Sequence, residues 1–273
     1  MQPVHGISPW RQFPNLMIDA VRCGLIAFWL LAGWGLGASV MAAPDPVALE
    51  HFIAGDFTAA ATAAIEIGDS ENLAFAARSL NSAAYFEDHR KTARKLADRA
   101  FDLGEAAIDK DPLLVEAHLQ SAIALALRGA NMSSIKAFFK NIPSRAKKRI
   151  DRALELEPEN QWELSTSAAW HFEVVREGGG RVYGADREIG FEQFEAARVI
   201  APDNVSIAYE FALRLLGSEE EKFRAPALAA LDRALSLEPQ SALEEKIVMR
   251  VQGLAISVEN GSEAEKEFIK SHR

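Results

Sequence analysis

The sequence predicts an all-α fold, a solenoid of about five antiparallel helix pairs with insertions between the helices. Three observations carry this expectation: a short phrase recurs along the chain, a proline closes four of its five copies at constant distance, and small or apolar residues stand one and two helical turns before it. In outline the phrase is an alanine, two apolar residues and a turn. It reads Ala64-Ile65-Glu66-Ile67-Gly68-Asp69, Ala107-Ile108-Asp109-Lys110-Asp111-Pro112, Ala153-Leu154-Glu155-Leu156-Glu157-Pro158, Ala197-Arg198-Val199-Ile200-Ala201-Pro202 and Ala234-Leu235-Ser236-Leu237-Glu238-Pro239. Seven residues before the last four alanines stand Ala100, Ala146, Gly190 and Ala227, and three before them Gly104, Ile150, Phe194 and Leu231. Those steps share one helix face, so small residues let a second helix approach while the larger one fills the gap. Proline then stops the helix, because it lacks an amide hydrogen and excludes the helical conformation for the residue before it.

The N-terminal segment is of another kind. Residues 1–23 carry Arg11, Asp19 and Arg22, after which Gly24 to Ala43 holds no charge. A positive flank, an apolar run and small residues at Val40 and Ala42 fit a signal peptide over residues 1–42, cleaved after Ala42. The chain is then exported to the bacterial periplasm. The alternative is an uncleaved inner-membrane anchor formed by residues 24–43, long enough to cross the hydrocarbon core. Cys23 precedes the apolar run, which is not the place of a lipid-modified cysteine, and a lone cysteine allows neither an intramolecular disulfide nor a thiolate zinc site. The 273 residues are 49% apolar and 25% charged with a formal charge of −9. That balance excludes intrinsic disorder as the main state and offers phosphate backbones no general attraction, so nucleic acid is not an expected partner.

The second-helix pattern of residues 47 to about 255 resembles the tetratricopeptide repeat. The resemblance implies that each first helix begins about three residues past the proline and carries a small residue eight positions in, which gives Ala122, Ala168, Ala212 and, less well, Met249. Successive phrase alanines lie 43, 46, 44 and 37 residues apart, against about 34 for an uninterrupted repeat. The surplus belongs between first and second helices, in Tyr85 to Leu96, Arg128 to Arg145, Val175 to Ile189 and Gly217 to Ala225. Helix breakers agree: Gly129-Ala130-Asn131, Gly178-Gly179-Gly180 and Gly217-Ser218. Residues 256–273 read as a polar C-terminal helix or tail, the solubilising end that a repeat array needs. Repeats with insertions of this style, on Glu116-Ala117-His118, Ala122-Ile123, Gly129, Ser134-Ile135-Lys136, Lys147 or Lys148 and Ala153 to Pro158, resemble the regulator-of-microtubule-dynamics family. The Gly-Gly segment leading into Phe191-Glu192-Gln193-Phe194, with Ala201-Pro202-Asp203-Asn204, is similar to the T-component proteins of TRAP transporters.

No catalytic constellation stands out. The six histidines offer no i, i+3 or i+4 ligand pair, and HExxH, P-loop and GxSxG patterns are missing from the sequence. His171, between Trp170 and Phe172, reads as an interhelical polar packing residue, and Gly178 to Gly184 as a hairpin loop. Neither a cofactor nor a metal is expected. The inner face of such a stack is lined by its first helices, which places Gln120, Trp162, Thr166, Glu173, Tyr209, Glu210 and Arg250 there as candidate binding residues. Trp162 reads equally as a residue that seals one repeat on the next. Lys136, Lys140, Lys147, Lys148 and Arg149, interleaved with Phe138 and Phe139, form a basic patch in an acidic chain. It is either a solvated helix face with the two rings packed beneath or a docking surface for an acidic partner or lipid headgroups. The expected function is a non-catalytic protein-binding or scaffold module. A small-ligand-binding transporter accessory is the alternative, implied by the T-component likeness, and an enzyme ranks third. The expected partner is a protein or peptide, possible transporter subunits included, with membrane contact only through an uncleaved N-terminal segment or the basic patch.

Overall fold

A computed structural model describes residues 43–272, which contain fourteen helices and no strand. The signal peptide and cleavage site expected over residues 1–42, and nearly all of the alternative anchor, lie outside the described residues. Among those described, no helix is long and apolar enough to cross a membrane.

The helices pair in chain order. Helices α1 (Pro46–Ile53) and α2 (Phe57–Ile67) form the first pair, α3 (Ser70–Tyr85) and α4 (Arg90–Lys110) the second. Then come α5 (Val115–Ala130) with α7 (Ile142–Leu156), interrupted by α6 (Ser134–Phe139), and α8 (Gln161–Arg176) with α10 (Arg187–Ile200), interrupted by α9 (Gly180–Tyr183). Pairs α11 (Val205–Leu216) with α12 (Glu221–Leu235), and α13 (Ala242–Glu259) with α14 (Ser262–His272), complete the stack. The first helices α3, α5, α8, α11 and α13 pack successively side by side. The described part is therefore an all-α solenoid of five phrase-bearing pairs and a sixth that lacks the phrase.

The recurring prolines do what their chemistry demands. Helices α4, α7 and α10 end two residues before Pro112, Pro158 and Pro202, and α12 ends four before Pro239. Each following helix begins three residues past its proline, at Val115, Gln161, Val205 and Ala242. Several of these starts are capped by short polar side chains that accept otherwise unpaired amide hydrogens: Asn160 from Trp162, Asn204 from Ile207 and Ser241 from Glu244.

The small face is buried throughout. Ala64, Ala107, Ala153, Ala197 and Ala234 have no exposed surface, and Ala100, Ala146, Gly190 and Ala227 lie in the same seams. Gly190 marks the tightest logic: a Cβ there would stand 3.0 Å from the Ala168 carbonyl, the His171 Cβ and the Phe172 ring at once. Around this crossing Phe172, Phe194, Phe211 and Phe223 form the largest core cluster, with Phe194 and Phe211 stacked at 5.1 Å.

In the first helices Ala122, Ala168 and Ala212 are buried, but Met249 is 61% exposed. The expectation fails in α13 because its close approach to α14 is made elsewhere. Gly253 faces the Phe268 ring so closely that a Cβ would meet it at 2.7 Å. The surplus residues are housed in two ways: α4 is lengthened to 21 residues, whereas the next two hairpins hold the extra short helices α6 and α9.

The stack also returns on itself. Leu243 of α13 packs on the core shared by α1, α2, α3 and α4, and Ala242 sits against the α1–α2 turn at Gly55. The guanidinium of Arg250 lies 4.2 Å from the Tyr85 ring centre and 4.7 Å from that of Phe86, and Nη2 donates to the Tyr85 carbonyl at 2.7 Å. The last pair thus touches the first two.

Candidate functional site

First helices α3, α8, α11 and α13 each send polar side chains to one place. The Tyr85 hydroxyl, on the last residue of α3, donates to Glu210 Oε1 of α11 at 2.6 Å. One turn along α11, Arg214 bonds Glu210 at 2.9 Å and reaches across to Glu173 of α8 at 3.4 Å. Glu173 also pairs with Arg176 in its own helix. Arg250 of α13 covers the Tyr85 ring.

Burial and Glu210 raise the Tyr85 hydroxyl well above its ordinary range, so it remains a hydrogen-bond donor at neutral pH. Burial alone would lower Arg214, but Glu210 and Glu173 more than compensate and hold it charged. Tyr209 is fully buried and its hydroxyl has no partner; burial and then Glu210 raise it as well.

Three of the seven residues expected on the inner face, Glu173, Glu210 and Arg250, meet in this network. Tyr209 lies beneath it as core. Gln120 is buried in a second polar group, where its carbonyl and Oε1 accept from Asn81 at 2.9 Å and its Nε2 donates to Glu116. Trp162 and Thr166 are half-buried on α8 and enter neither group through a hydrogen bond of their side chains. Tyr85, Arg176 and Arg214 are the members that sequence reasoning missed. Arg214 was within reach, because it follows Glu210 by four residues, the spacing of a helical ion pair. Tyr85 carried no such signal, since its partner is 125 residues away.

A buried acid lies near the second group. Glu163, in the first turn of α8, is 2% exposed and its Oε2 has no partner. Burial pushes this carboxyl up to about 7 against the stabilising pull of its own amide, and Glu116 and Glu157 add to the rise. Among the described residues no group of His, Cys, Asp and Glu is arranged to hold a metal ion. His118 on α5 and His171 on α8 are packing residues. His171 Nδ1 accepts from the Asp186 amide at 2.9 Å, and His118 Nε2 donates to the Pro112 carbonyl at 2.9 Å.

The basic patch divides. Lys147 pairs with Asp151 and lies over Trp170, and Arg149 pairs with Glu105 of α4. Lys136, Lys140 and Lys148 are exposed and form no ion pair among the described residues. Phe138 and Phe139 are not packed beneath the cations as one reading had it, because α6 stands out on a hairpin with none of its residues buried.

Residues 59–177, from α2 into the end of α8, match the family model described as Regulator of microtubule dynamics protein 1-3. That stretch is similar to a family of helical repeat character. It covers under half of the chain, and it contains the segment from Glu116 to Pro158 that carried the same likeness in the sequence. No curated protein matches the chain.

Proposed function

We propose that this protein is an exported, non-catalytic tetratricopeptide-like scaffold that binds a protein or peptide partner. The observation that carries the reading is Arg250. Its guanidinium is held against two aromatic rings and forms one hydrogen bond, to the Tyr85 carbonyl, with no carboxylate paired to it among the described residues. A preoriented arginine with donors to spare suits a carboxylate on an incoming chain, and little side-chain entropy remains to be lost on binding. Two further features support the reading. The other ionisable groups of the network are paired with one another, which leaves none poised as a general base. The cavity of about 540 Å³ at α11, α12 and α14 sets Arg176, Glu219, Glu220, Arg224, Glu265 and Lys270 beside Leu215, Leu216 and Ile269, many more charged side chains than the few polar groups that a small-ligand site uses. The export part of the proposal rests on the apolar segment before Pro44.

The test is peptide selection from a random library against the full chain, followed by calorimetry. Ligands carrying an acidic side chain or a free C-terminus are expected to lose at least about tenfold in affinity on Arg250→Ala, roughly the worth of one charge-assisted hydrogen bond. Val199→Ser, on the far-exposed side of α10, should leave them unchanged. Selected ligands that bind Arg250→Ala as tightly as the parent would overturn the proposal.

A further inference from the structure

The two inserted helices come together on one rim. Phe138 of α6 lies edge-on to Tyr183 of α9, with ring centres 6.4 Å apart, and Ser134 donates to Glu177 at the end of α8. Around that contact the chain exposes apolar side chains that no core claims: Phe139 is 81% exposed, Ile135 70%, Val182 69% and Phe138 55%. Soluble surfaces scatter such residues singly, and a cluster is a binding feature. Lys136, Lys140 and Lys148 flank it, joined by exposed Arg181 from α9, and none of the four is in an ion pair among the described residues. A shallow groove of about 500 Å³ between α7 and α9 continues the basic side, bordered by Lys147, Lys148, Arg152 and Tyr183 and holding the acids Asp151 and Glu155.

We propose that this rim docks on an anionic lipid bilayer, with the phenylalanines and Ile135 entering the headgroup boundary and the lysines meeting the phosphates. Charge complementarity selects the occupant, since the four unpaired cations border exposed apolar side chains here in a chain of net charge −9. By contrast Lys91, Lys95 and Arg99, exposed on α4, share that helix with no exposed large apolar residue. The kind of cation narrows it further. Lysine is depleted from protein–protein interfaces, whose partners must desolvate it, but is favoured at membrane surfaces, where its long stem lies along apolar surface and its ammonium stays hydrated. The apolar side chains sit on a protruding helix rather than in a recess, the shape that can enter a fluid surface without a preformed counterpart.

The test uses the full-length chain with Cys23→Ser and a single environment-sensitive fluorophore attached at Phe139→Cys. Emission is expected to shift to the blue with vesicles of phosphatidylcholine and phosphatidylglycerol and to stay unchanged with phosphatidylcholine alone, whatever the N-terminal segment does. The same fluorophore at Val199→Cys reports on another face and should not shift. Replacing Lys136, Lys140, Lys148 and Arg181 by Glu should weaken the response by at least about fivefold per charge removed. Raised salt should weaken it as well. Absence of a shift at position 139, in a chain whose circular dichroism and melting match the parent, overturns the proposal. So does a shift that persists undiminished in the charge-reversed chain. If emission instead moves only on adding an acidic protein, the rim is a protein interface and the bilayer assignment fails.

Discussion

Glu163 shows how one side chain couples packing to pH. It occupies a nearly solvent-free place in the first turn of α8 and is pushed up to about 7. An acid raised in the folded state stabilises the protein fully below its unfolded value, near 4.5, and that contribution is lost as pH rises through about 7. His118 and His171 act oppositely. Burial lowers both, so the fold loses stability as pH falls below the ordinary histidine range near 6.5. In the parent these trends offset one another over much of the weakly acidic range. Glu163→Gln should separate them, raising stability at pH 8 by about 2 kcal/mol and leaving a stability that climbs with pH between 5 and 7. Urea unfolding at pH 5, 6, 7 and 8 measures this, and parallel curves for parent and variant would contradict it. The glutamate's residue type was legible in the sequence, but its burial was not, because the first turn of a helix is ordinarily a solvated place for acids.

Helix seams explain why the repeat phrase is so economical. Alanine or glycine at the crossing points brings backbones close, and phenylalanine one turn on fills the volume that remains, as at Gly190 and Phe194. Gly190→Val would drive two methyl groups toward the Ala168 carbonyl and the Phe172 ring, and a close-packed seam resists such insertion. We expect a loss of about 3 kcal/mol, read as a lowered denaturant midpoint at unchanged slope. Unchanged stability would mean that α10 and α8 can part without cost. These seams, the proline stops and the starts three residues later were all legible, since each depends on residues within one or two helical turns. Met249 was misread for the complementary reason. The small residue that matters in α13 is chosen by Phe268 of the facing helix, which spacing inside α13 does not disclose.

Closure is a property of the entire stack. Leu243 bridges α13 to the α1–α4 core, and Arg250 bridges it to Tyr85 and Phe86. If those contacts carry stability, Leu243→Asp should lower hydrogen-exchange protection in α1 and α3, more than 150 residues away in the chain, as well as locally in α13. The physical reason is that a solenoid otherwise couples only neighbours, and a ring-like return adds coupling between its ends. Protection lost in α13 alone would show the ends to be independent. The same return brings Tyr85 and Arg250 to one place, and with them the inner-face network, so the candidate site and the closure share their residues.

Local pattern was enough to specify helices, their stops, their pairing and their stacking order, because those follow from interactions between residues a few positions apart and repeat along the chain. Which helices meet across the curve, which acids lose their water, and which lysines keep theirs depend on the superhelical turn and on where two irregular hairpins fold back. Both are summed over many small packing angles that no single stretch of residues records. Hence Glu173, Glu210 and Arg250 were nameable in advance, whereas the tyrosine that joins them and the exposed aromatic rim emerged only with the fold.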